Sequence, residues 1–495
     1  MKKSKVTIGA IAVLGAAWVG GSWFTGQKAE TEYQRQIEQA NQKFQALGLS
    51  EEFKVEFKNK QFERGFFSSQ VEDEVVISLP KEEKQWTIPF STTLYHGPLP
   101  LNQLAKFNLM PAMFSLEGVI GKNETTQSLF DMIKSDKPIQ YQASTSYGLT
   151  TKGGLKLVGG EFIDPKSDQN KLIWSDMAFD FDVNQDLSGI YDTSIEHLLF
   201  ETKNLSDEEN LKSAKFQWKG IKSSTVFAPT KWAYLYTGKG TSSIESMEMT
   251  SLNTNGKEMS LVEKGIKATS EISLEGGFLN LKGTNDIGSL IIDGKDFGKI
   301  TYNLEFNHIE PNAVNSLIES FVTAFKLVVN SIEEQESLDE FVNQIFSDWA
   351  KQHGMAIFNN QPQIKLNPLS ISDNQGKAAL DLNIALAKDP KFDFMRGNLY
   401  QQFTDFAVDI QVDKETAENL MMKFAPEEEK ASIKARIKEM AAEAAIKGIA
   451  VNNEKSVTMK LLLENGELKL NGQSVPEEQV QGVLFMLLMG AAMQR

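Results

Sequence analysis

Apolar and polar residues alternate with a period of two along most of the chain between residues 52 and 307. The stretches 177–184 and 300–306 show the alternation most clearly. A strand of this kind has one apolar face and one polar face, which is typical of antiparallel sheet. Turn signals such as Asn255-Gly256 and Asp293-Gly294 separate the strands. The pattern therefore predicts a long antiparallel β meander.

A spacing of three to four residues between apolar positions predicts helices in only a few places within and after this meander. Pro100 opens a short helix that continues through Met110 and that Pro111 stops. Pro311 begins a stronger helical block, a hairpin of two amphipathic helices that Gly354 ends. The meander is thus interrupted early by a short helix and is followed by a helical hairpin.

The last third of the chain repeats the same elements in a shorter form. Strands are predicted at 380–386 and 406–412, followed by a helical stretch at 414–449 that is broken near Pro426. The Asn465-Gly466 pair between alternating segments is a strong hairpin signal. A final apolar helix begins after Ser474 and is short for a membrane span.

The chain begins with an uncharged run from Val6 to Phe24 that follows Lys2, Lys3 and Lys5. As a helix, this run would span roughly 28 Å, close to the ~30 Å hydrocarbon thickness of a bilayer. Lysines before the run keep the N-terminus in the cytoplasm by the positive-inside rule. We therefore predict a single-pass protein of the cell inner membrane whose body lies in the periplasm.

Two kinds of residue characterise this anchor. Aromatic residues lie at its far end, where rings favour the boundary between membrane and water. Small residues recur at every fourth position, which lets two membrane helices approach closely. The alternative is a cleaved signal peptide, because Gly15-Ala16-Ala17 fits a small-residue cleavage site. The residues assigned to the anchor are Val6, Ala12, Ala16, Trp18, Gly20, Trp23 and Phe24.

A stalk helix is predicted beyond the membrane, from Ala29 to Leu47. Its apolar residues are spaced alternately by four and three, which forms an a/d seam of the kind that pairs helices. With the small residues of the anchor, this seam favours a parallel homodimer. The alternative is a single amphipathic helix that packs against the body. The candidate seam residues are Tyr33, Ile37, Ala40, Phe44 and Leu47.

Together these patterns predict an α+β fold: a long antiparallel β meander, forming a curled sheet, with a helical hairpin and a C-terminal α/β part on one N-terminal transmembrane helix. The predicted organisation is a cytoplasmic tip and anchor at 1–26, a stalk helix at 27–50, the meander at 51–310, the hairpin at 311–355 and the C-terminal α+β domain at 356–495.

The amino-acid composition excludes several kinds of functional site and partner. The chain has no cysteine, so disulfides, a thiol nucleophile and zinc sites built on sulfur are excluded. The formal net charge is −15, and a chain this acidic would repel the phosphates of nucleic acid rather than release their counterions. We therefore expect no nucleic-acid partner.

Residues that could carry catalysis are sparse. The chain has no G-x-S-x-G, H-E-x-x-H or Walker A sequence, and its four histidines are far apart. We predict no catalytic residue, no cofactor, no metal site and no enzymatic activity. The one candidate turn is His96-Gly97-Pro98, where the ring either fixes the backbone or meets a ligand. His308 continues an apolar strand face and is expected to bond a backbone carbonyl in the core.

Four segments carry a resemblance to a known family. They are the start of the chain, ERGFFSSQ at 63–70, HGPLPL at 96–101 and LENGELKLNGQ at 463–473. In this order, they are similar to the YdgA/YihF-type family of bacterial envelope proteins, a family of unknown function. The resemblance implies an inner-membrane anchor with a large periplasmic part, and it supplies no catalytic residues.

The predicted function is non-enzymatic. A long meander curls, and a curled sheet lined by apolar side chains can leave a trough that binds a lipid or another hydrophobic ligand. The alternative is a homodimeric scaffold or interaction protein for envelope or motility machinery. A periplasmic hydrolase would need a nucleophile and a base close together, which the sequence does not indicate.

Overall fold

The computed structural model describes residues 22, 24–31, 33–35, 37–38, 40–42, 54–80, 83–164, 170–203, 211–330, 335–391 and 399–476. Within these residues the chain forms two compact units. The first unit contains the chain up to Phe200 together with Ile221–Pro229 and Phe321–Asn343. The second unit contains Glu201–Gly220, Thr230–Ser320 and the chain from Gln344 onward.

Strands of the first unit pair antiparallel, mostly with their neighbours in sequence. β7 and β8 lie between β6 and β9 in sequence and form a hairpin, and β8 also pairs with β10, while β6 pairs directly with β9. The strands are β1 (Lys54–Arg64), β2 (Ser68–Leu79), β3 (Lys84–His96), β4 (Phe114–Ile120), β5 (Ile139–Thr145), β6 (Thr151–Leu157), β7 (Gly160–Ile163), β8 (Lys171–Trp174), β9 (Met177–Val183) and β10 (Gly189–Lys203), of which β10 ends in the second unit.

Strands of the second unit are also antiparallel and include the first half of β11. They are β11 (Leu211–Pro229), β12 (Tyr236–Asn253), β13 (Glu258–Glu275), β14 (Phe278–Ile287), β15 (Ser289–Ile292), β16 (Lys295–Asp296), β17 (Lys299–Ile309), β18 (Gln363–Ser372), β19 (Lys377–Leu386), β20 (Phe403–Asp413), β21 (Val451–Asn452), β22 (Ser456–Glu464), β23 (Glu467–Leu470) and β24 (Gln473–Ser474).

Helices are few. The described residues between 22 and 42 are all helical and form α1. The other helices are α2 (Leu101–Ala105), α3 (Gln127–Ile133), α4 (Pro311–Asn330), α5 (Gln335–Trp349), a π-helix (Ala350–Gly354), α6 (Met355–Asn359), a 3-10 turn (Leu399–Gln402), α7 (Lys414–Phe424) and α8 (Glu427–Ile446). The fold is therefore mostly antiparallel sheet with a few helices, as the α+β prediction states, and no pairing between the described strands joins the sheet's ends.

Sequence patterns locate several of these elements accurately. The alternation at 177–184 and 300–306 falls in β9 and β17. The break near Pro426 separates α7 from α8. Asn465 and Gly466 both have positive φ, at 54° and 80°, as a two-residue hairpin turn between β22 and β23 requires.

Two predicted helix ends are wrong. Gly354 does not end the helical block, because it keeps a right-handed helical conformation and the chain continues helically to Asn359. Helix α2 ends at Ala105 rather than at Met110. The amide of Asn108 donates to the carbonyl of Gln103 at 2.9 Å, and Phe107 takes a left-handed φ of 57°, so the chain turns out of the helix there.

The core of the first unit lies between α1 and one face of the sheet. Ala29 of α1 packs against Val71 and Leu94, whose side chains are 0% and 2% exposed. Partly buried Tyr33 and Phe62 complete this cluster from the helix and from β1. Removing these apolar groups from water is the main stabilising contribution of the contact.

In the second unit, a bulge keeps one face of the sheet apolar. The register of β18 shifts between Leu366 and Leu369, and Asn367 and Pro368 occupy the shift. Proline cannot donate a ladder hydrogen bond and is tolerated at a bulge. Because of this shift, Leu366 and Leu369 point to the same face despite their odd separation.

Candidate functional site

The predicted His96-Gly97-Pro98 turn lies at the end of β3 and its histidine is buried, with 1% of the side chain exposed. Nδ1 of His96 is 3.2 Å from the carbonyl oxygen of Phe66, and Nε2 is 2.8 Å from Oγ of Ser69. A carbonyl oxygen only accepts, so Nδ1 carries the proton and Nε2 accepts from the serine hydroxyl. Both ring nitrogens are therefore used to fix the backbone around the turn.

Burial lowers the pKa of His96 below its ordinary value of 6.5, against the hydrogen bond to Phe66, which raises it. The positive charge of Arg64 lowers the pKa further. The neutral ring is consequently favoured in the folded protein.

The same turn contacts α1 at Thr25 and Gly26. The hydroxyl of Thr25 donates to the carbonyl of Gly97 at 2.9 Å. Gly26 lies against the His96 ring so closely that a Cβ atom there would be 2.4 Å from Nδ1. Only a glycine lets the helix approach the ring to this distance, so the turn is a docking point for the helix.

A second polar contact joins α1 to the sheet further along. The hydroxyl of Tyr33 donates to the carboxylate of Asp73, and Nδ2 of Asn59 donates to the other carboxylate oxygen at 2.8 Å. Burial raises the pKa of Asp73, while these two hydrogen bonds lower it. Burial also raises the pKa of the Tyr33 hydroxyl above its usual range. The predicted seam residue Tyr33 is therefore engaged within its own chain.

Several predicted anchor and seam residues lie outside the described part of the chain. Of the anchor, Phe24 is described and is 56% exposed. Of the seam, Ile37 and Ala40 are described and are half-buried. In the described residues, no helix combines the length and the apolar character that crossing a bilayer requires. The homodimer stays a prediction. Outside the described residues are Val6, Ala12, Ala16, Trp18, Gly20, Trp23, Phe44 and Leu47.

A polar groove of about 660 Å³ lies in the first unit. It lies against the polar face of the sheet, which carries residues such as Gln70, Glu117 and Asp180, and Lys106, directly after α2, also lines it. Nζ of Lys106 bonds Glu117 at 2.7 Å and Gln142 at 3.1 Å. Lys106, Glu117 and Gln142 thus satisfy one another, and the rest of the lining mixes polar side chains with apolar ones such as Val119 and Leu155.

An apolar trough of about 360 Å³ lies in the second unit, on strands β17 to β20. Its lining is aliphatic apart from Ser370. The side chains form two cross-strand rows, because residues opposite one another in an antiparallel sheet share a face. In register order the first row is Ile300, Ile371, Ala378 and Val412. The second is Leu369, Leu380 and Ile410, and Tyr302 on β17 extends it beyond the lining of the trough.

These rows remain accessible in part. Leu369 is 42% exposed and Tyr302 is 37% exposed. The opposite face of the same strands is polar, with Asn383 donating to Asp405 and Lys460 paired with Asp409 at 3.7 Å. The trough is therefore an apolar surface that an elongated hydrophobic ligand can cover, and it contains almost no group to orient a polar one.

The described residues contain no further candidate site built on a metal ion or on His308. No three His, Cys, Asp or Glu residues among them gather closely enough to hold a metal ion. His308 contacts the carbonyl of Asn360 through Nδ1 and stacks on Phe278 with ring centroids 3.7 Å apart. The contact with a backbone carbonyl is the one expected for it, but His308 is half-buried rather than part of the core.

Comparison with protein-family models assigns this chain to a family. The model of a family described as "Bacterial protein of unknown function (DUF945)" matches residues 1–478. The chain belongs to the DUF945 family. This agrees with the resemblance to YdgA and YihF seen in the sequence motifs.

Three relatives of this DUF945 chain have names that state no function. An uncharacterized protein of Haemophilus influenzae is 37% identical over 327 residues, which is 66% of this chain and 88% of the relative. Protein YdgA of Escherichia coli K12 is 24% identical over 98% of this chain and 97% of its own. Uncharacterized protein YihF of the same strain is 20% identical over 96% and 97%. No solved structure matches the chain.

Sequence patterns locate the individual trough strands of this DUF945 protein but not the trough. Ile300, Leu380 and Ile410 are recognised as apolar strand positions from their alternation. Leu369 is not, because the bulge at Asn367-Pro368 breaks the alternation and hides the shared face. A proline between two apolar segments of one strand is the signal that indicates such a bulge.

Proposed function

We propose that this DUF945 protein is a non-enzymatic, inner-membrane-anchored protein of the bacterial periplasm that binds a lipid acyl chain or a similar hydrophobic ligand. The observation that supports the proposal is the apolar trough on β17 to β20. Its two rows are continuous across four strands, and its volume lies within the range of small-molecule sites.

The size of the trough indicates how the ligand binds. Each methylene removed from water contributes about 0.8 kcal/mol, so about ten methylenes covered on one side contribute roughly 4 kcal/mol, a millimolar affinity. Tighter binding requires more of the apolar face. A third row continues that face, with Leu304, Leu366 and Leu382 followed by Val408 and Leu461. We therefore expect affinity to rise with chain length.

Filling the trough tests the proposal. Ala378 lies between Ile371 and Val412 in the first row, so Ala378→Phe places a ring in the space proposed for the ligand. Ala407→Phe is the matched control, because Ala407 lies on the opposite face beside Asn383. The full chain of each variant is purified from membranes and its bound lipid is measured by extraction and mass spectrometry.

We expect Ala378→Phe to lower lipid occupancy and the affinity for a fluorescent fatty acid by about tenfold, equivalent to about 1.4 kcal/mol. Ala407→Phe should bind as the unmodified protein does. Equal affinity in all three proteins, or no lipid in any of them, would contradict the proposal.

The location rests on the uncharged run from Val6 to Phe24 and the lysines before it. A reporter active only in the periplasm, fused after Arg495, should be active in cells. N-terminal sequencing of the mature protein should begin at the original start. A mature chain that begins near Trp18 would instead support a cleaved signal peptide and remove the anchor from the proposal.

A further inference from the structure

The loop that follows α2 exposes three large apolar side chains. Phe107 is 92% exposed, Leu109 is 70% exposed and Met110 is 72% exposed. No charged residue occurs from Phe107 through Met113. A contiguous exposed group of this kind marks an interaction with another protein or with a membrane.

Hydrogen bonds hold this loop in one conformation. The amide of Phe107 donates to the carbonyl of Leu104 at 3.0 Å, and Nδ2 of Asn108 donates to Oε1 of Gln103 at 2.8 Å. The amide of Met110 in turn donates to Oδ1 of Asn108 at 3.1 Å. These bonds fix Phe107 at a φ of 57°, a conformation that costs energy for an aromatic residue and that points to a role for its exposed ring.

The base of the loop lies where α1 meets the body. The amide of Ala112 donates to the carbonyl of Pro98 at 2.9 Å, which closes the excursion from 98 to 112. The neighbouring carbonyl of Gly97 accepts from Thr25, the residue directly after Phe24, the last residue assigned to the anchor. Half of the excursion is about seven residues, so its tip lies within about 25 Å of this base.

We propose that Phe107, Leu109 and Met110 insert into the membrane surface beside the point where the chain leaves its anchor. The inference rests on the proposed N-terminal anchor, which puts Thr25 at the bilayer surface. The three inserted side chains carry no charge, and the adjoining Lys106 is paired with Glu117 at 2.7 Å. A protein partner is the alternative occupant, but the position beside the end of the anchor favours the bilayer.

The absence of cysteine permits a direct test. Leu109→Cys in the full chain carries one environment-sensitive fluorophore, and the protein is reconstituted into phosphatidylethanolamine/phosphatidylglycerol vesicles. Leu187→Cys is the matched control, since Leu187 is another exposed leucine of the first unit and lies in the β9–β10 turn. Quenching by brominated lipids reports the depth of each label.

We expect the label at position 109 to lie about 5–10 Å below the headgroups, with blue-shifted emission, while the label at 187 stays in water. Vesicles that retain the protein but leave position 109 unquenched would overturn the loop proposal alone and would favour a protein partner. Equal quenching at both positions would overturn it as well. Protein that fails to float with the vesicles would overturn the anchor, and the loop proposal with it.

Discussion

Both units present a sheet with one apolar face, yet Val71 and Leu94 in the first unit have different surroundings from Leu369 and Tyr302 in the second. In the first unit, α1 covers Val71 and Leu94 almost completely, although Leu155 and Phe179, in the same cross-strand row as Val71, are 43% and 38% exposed. In the second, Leu369 and Tyr302 stay more than one-third exposed in the part of the chain that the structure describes. The alternation that produces both faces is the same, so the difference lies in what packs against them. A covered face stabilises the fold, and an accessible one is available for a ligand.

The largest expected effect comes from removing one leucine from each face. Leu94→Ala should lower the free energy of unfolding by about 2–5 kcal/mol, because it leaves a cavity under α1. Leu369→Ala should change it by less than about 0.5 kcal/mol, since its side chain is already partly in water. Urea unfolding of the full-length variants measures both values.

The effects of these two substitutions on ligand affinity should have the reverse order. Leu369→Ala should weaken fatty-acid binding, whereas Leu94→Ala should leave it unchanged under conditions where the protein is folded. Equal losses of stability at the two positions would mean that the trough is a buried core in solution, and the comparison between the faces would fail.

The contrast also shows which features of the fold can be predicted from the sequence and which cannot. Alternation at 300–306 predicts β17, and Asn465-Gly466 predicts a hairpin, because these signals depend on residues that are neighbours in the chain. Whether a face is covered depends on residues distant in sequence, such as Ala29 against Leu94. The stalk pattern left two interpretations open for this reason, and Tyr33 packs within its own chain.

The candidate turn shows the same limit. His96 stands out in the sequence because histidines are rare and Gly97-Pro98 follows it. Its partners Phe66, Ser69 and Gly26 are far from it in sequence, and no spacing pattern indicates that they meet it. A pattern of single residues indicates that the turn is special, but only the tertiary contacts assign it to docking the helix.

A smaller effect should follow from changing the close contact between α1 and this turn. Gly26→Ala adds a Cβ 2.4 Å from the His96 ring, so either the helix or the buried ring must move. We expect a loss of about 1–3 kcal/mol, typical of overpacking, measured by urea unfolding.

Gly354→Ala is the matched control for this change. Gly354 is also helical, and the nearest atom to an added Cβ is 3.8 Å away. Alanine there should stabilise the protein by up to about 1 kcal/mol, the ordinary helix propensity difference. A gain of similar size at Gly26 would show that α1 does not approach His96 in solution.

The smallest expected effect is the contribution of His96 to the pH dependence of the free energy of unfolding. Burial lowers the pKa of the folded ring below the ordinary 6.5, so the unfolded chain takes up a proton first as the pH falls. The neutral ring makes its full contribution to the free energy of unfolding above pH 6.5. This contribution is lost progressively as the pH falls from there through the folded-state pKa. His96→Gln should flatten the dependence of unfolding free energy on pH between about 5 and 6.5, a window that lies above the ordinary carboxyl pKa values. If the unmodified protein and the variant lose stability in parallel over this window, the ring is not buried as a neutral group, and α1 is not docked on it.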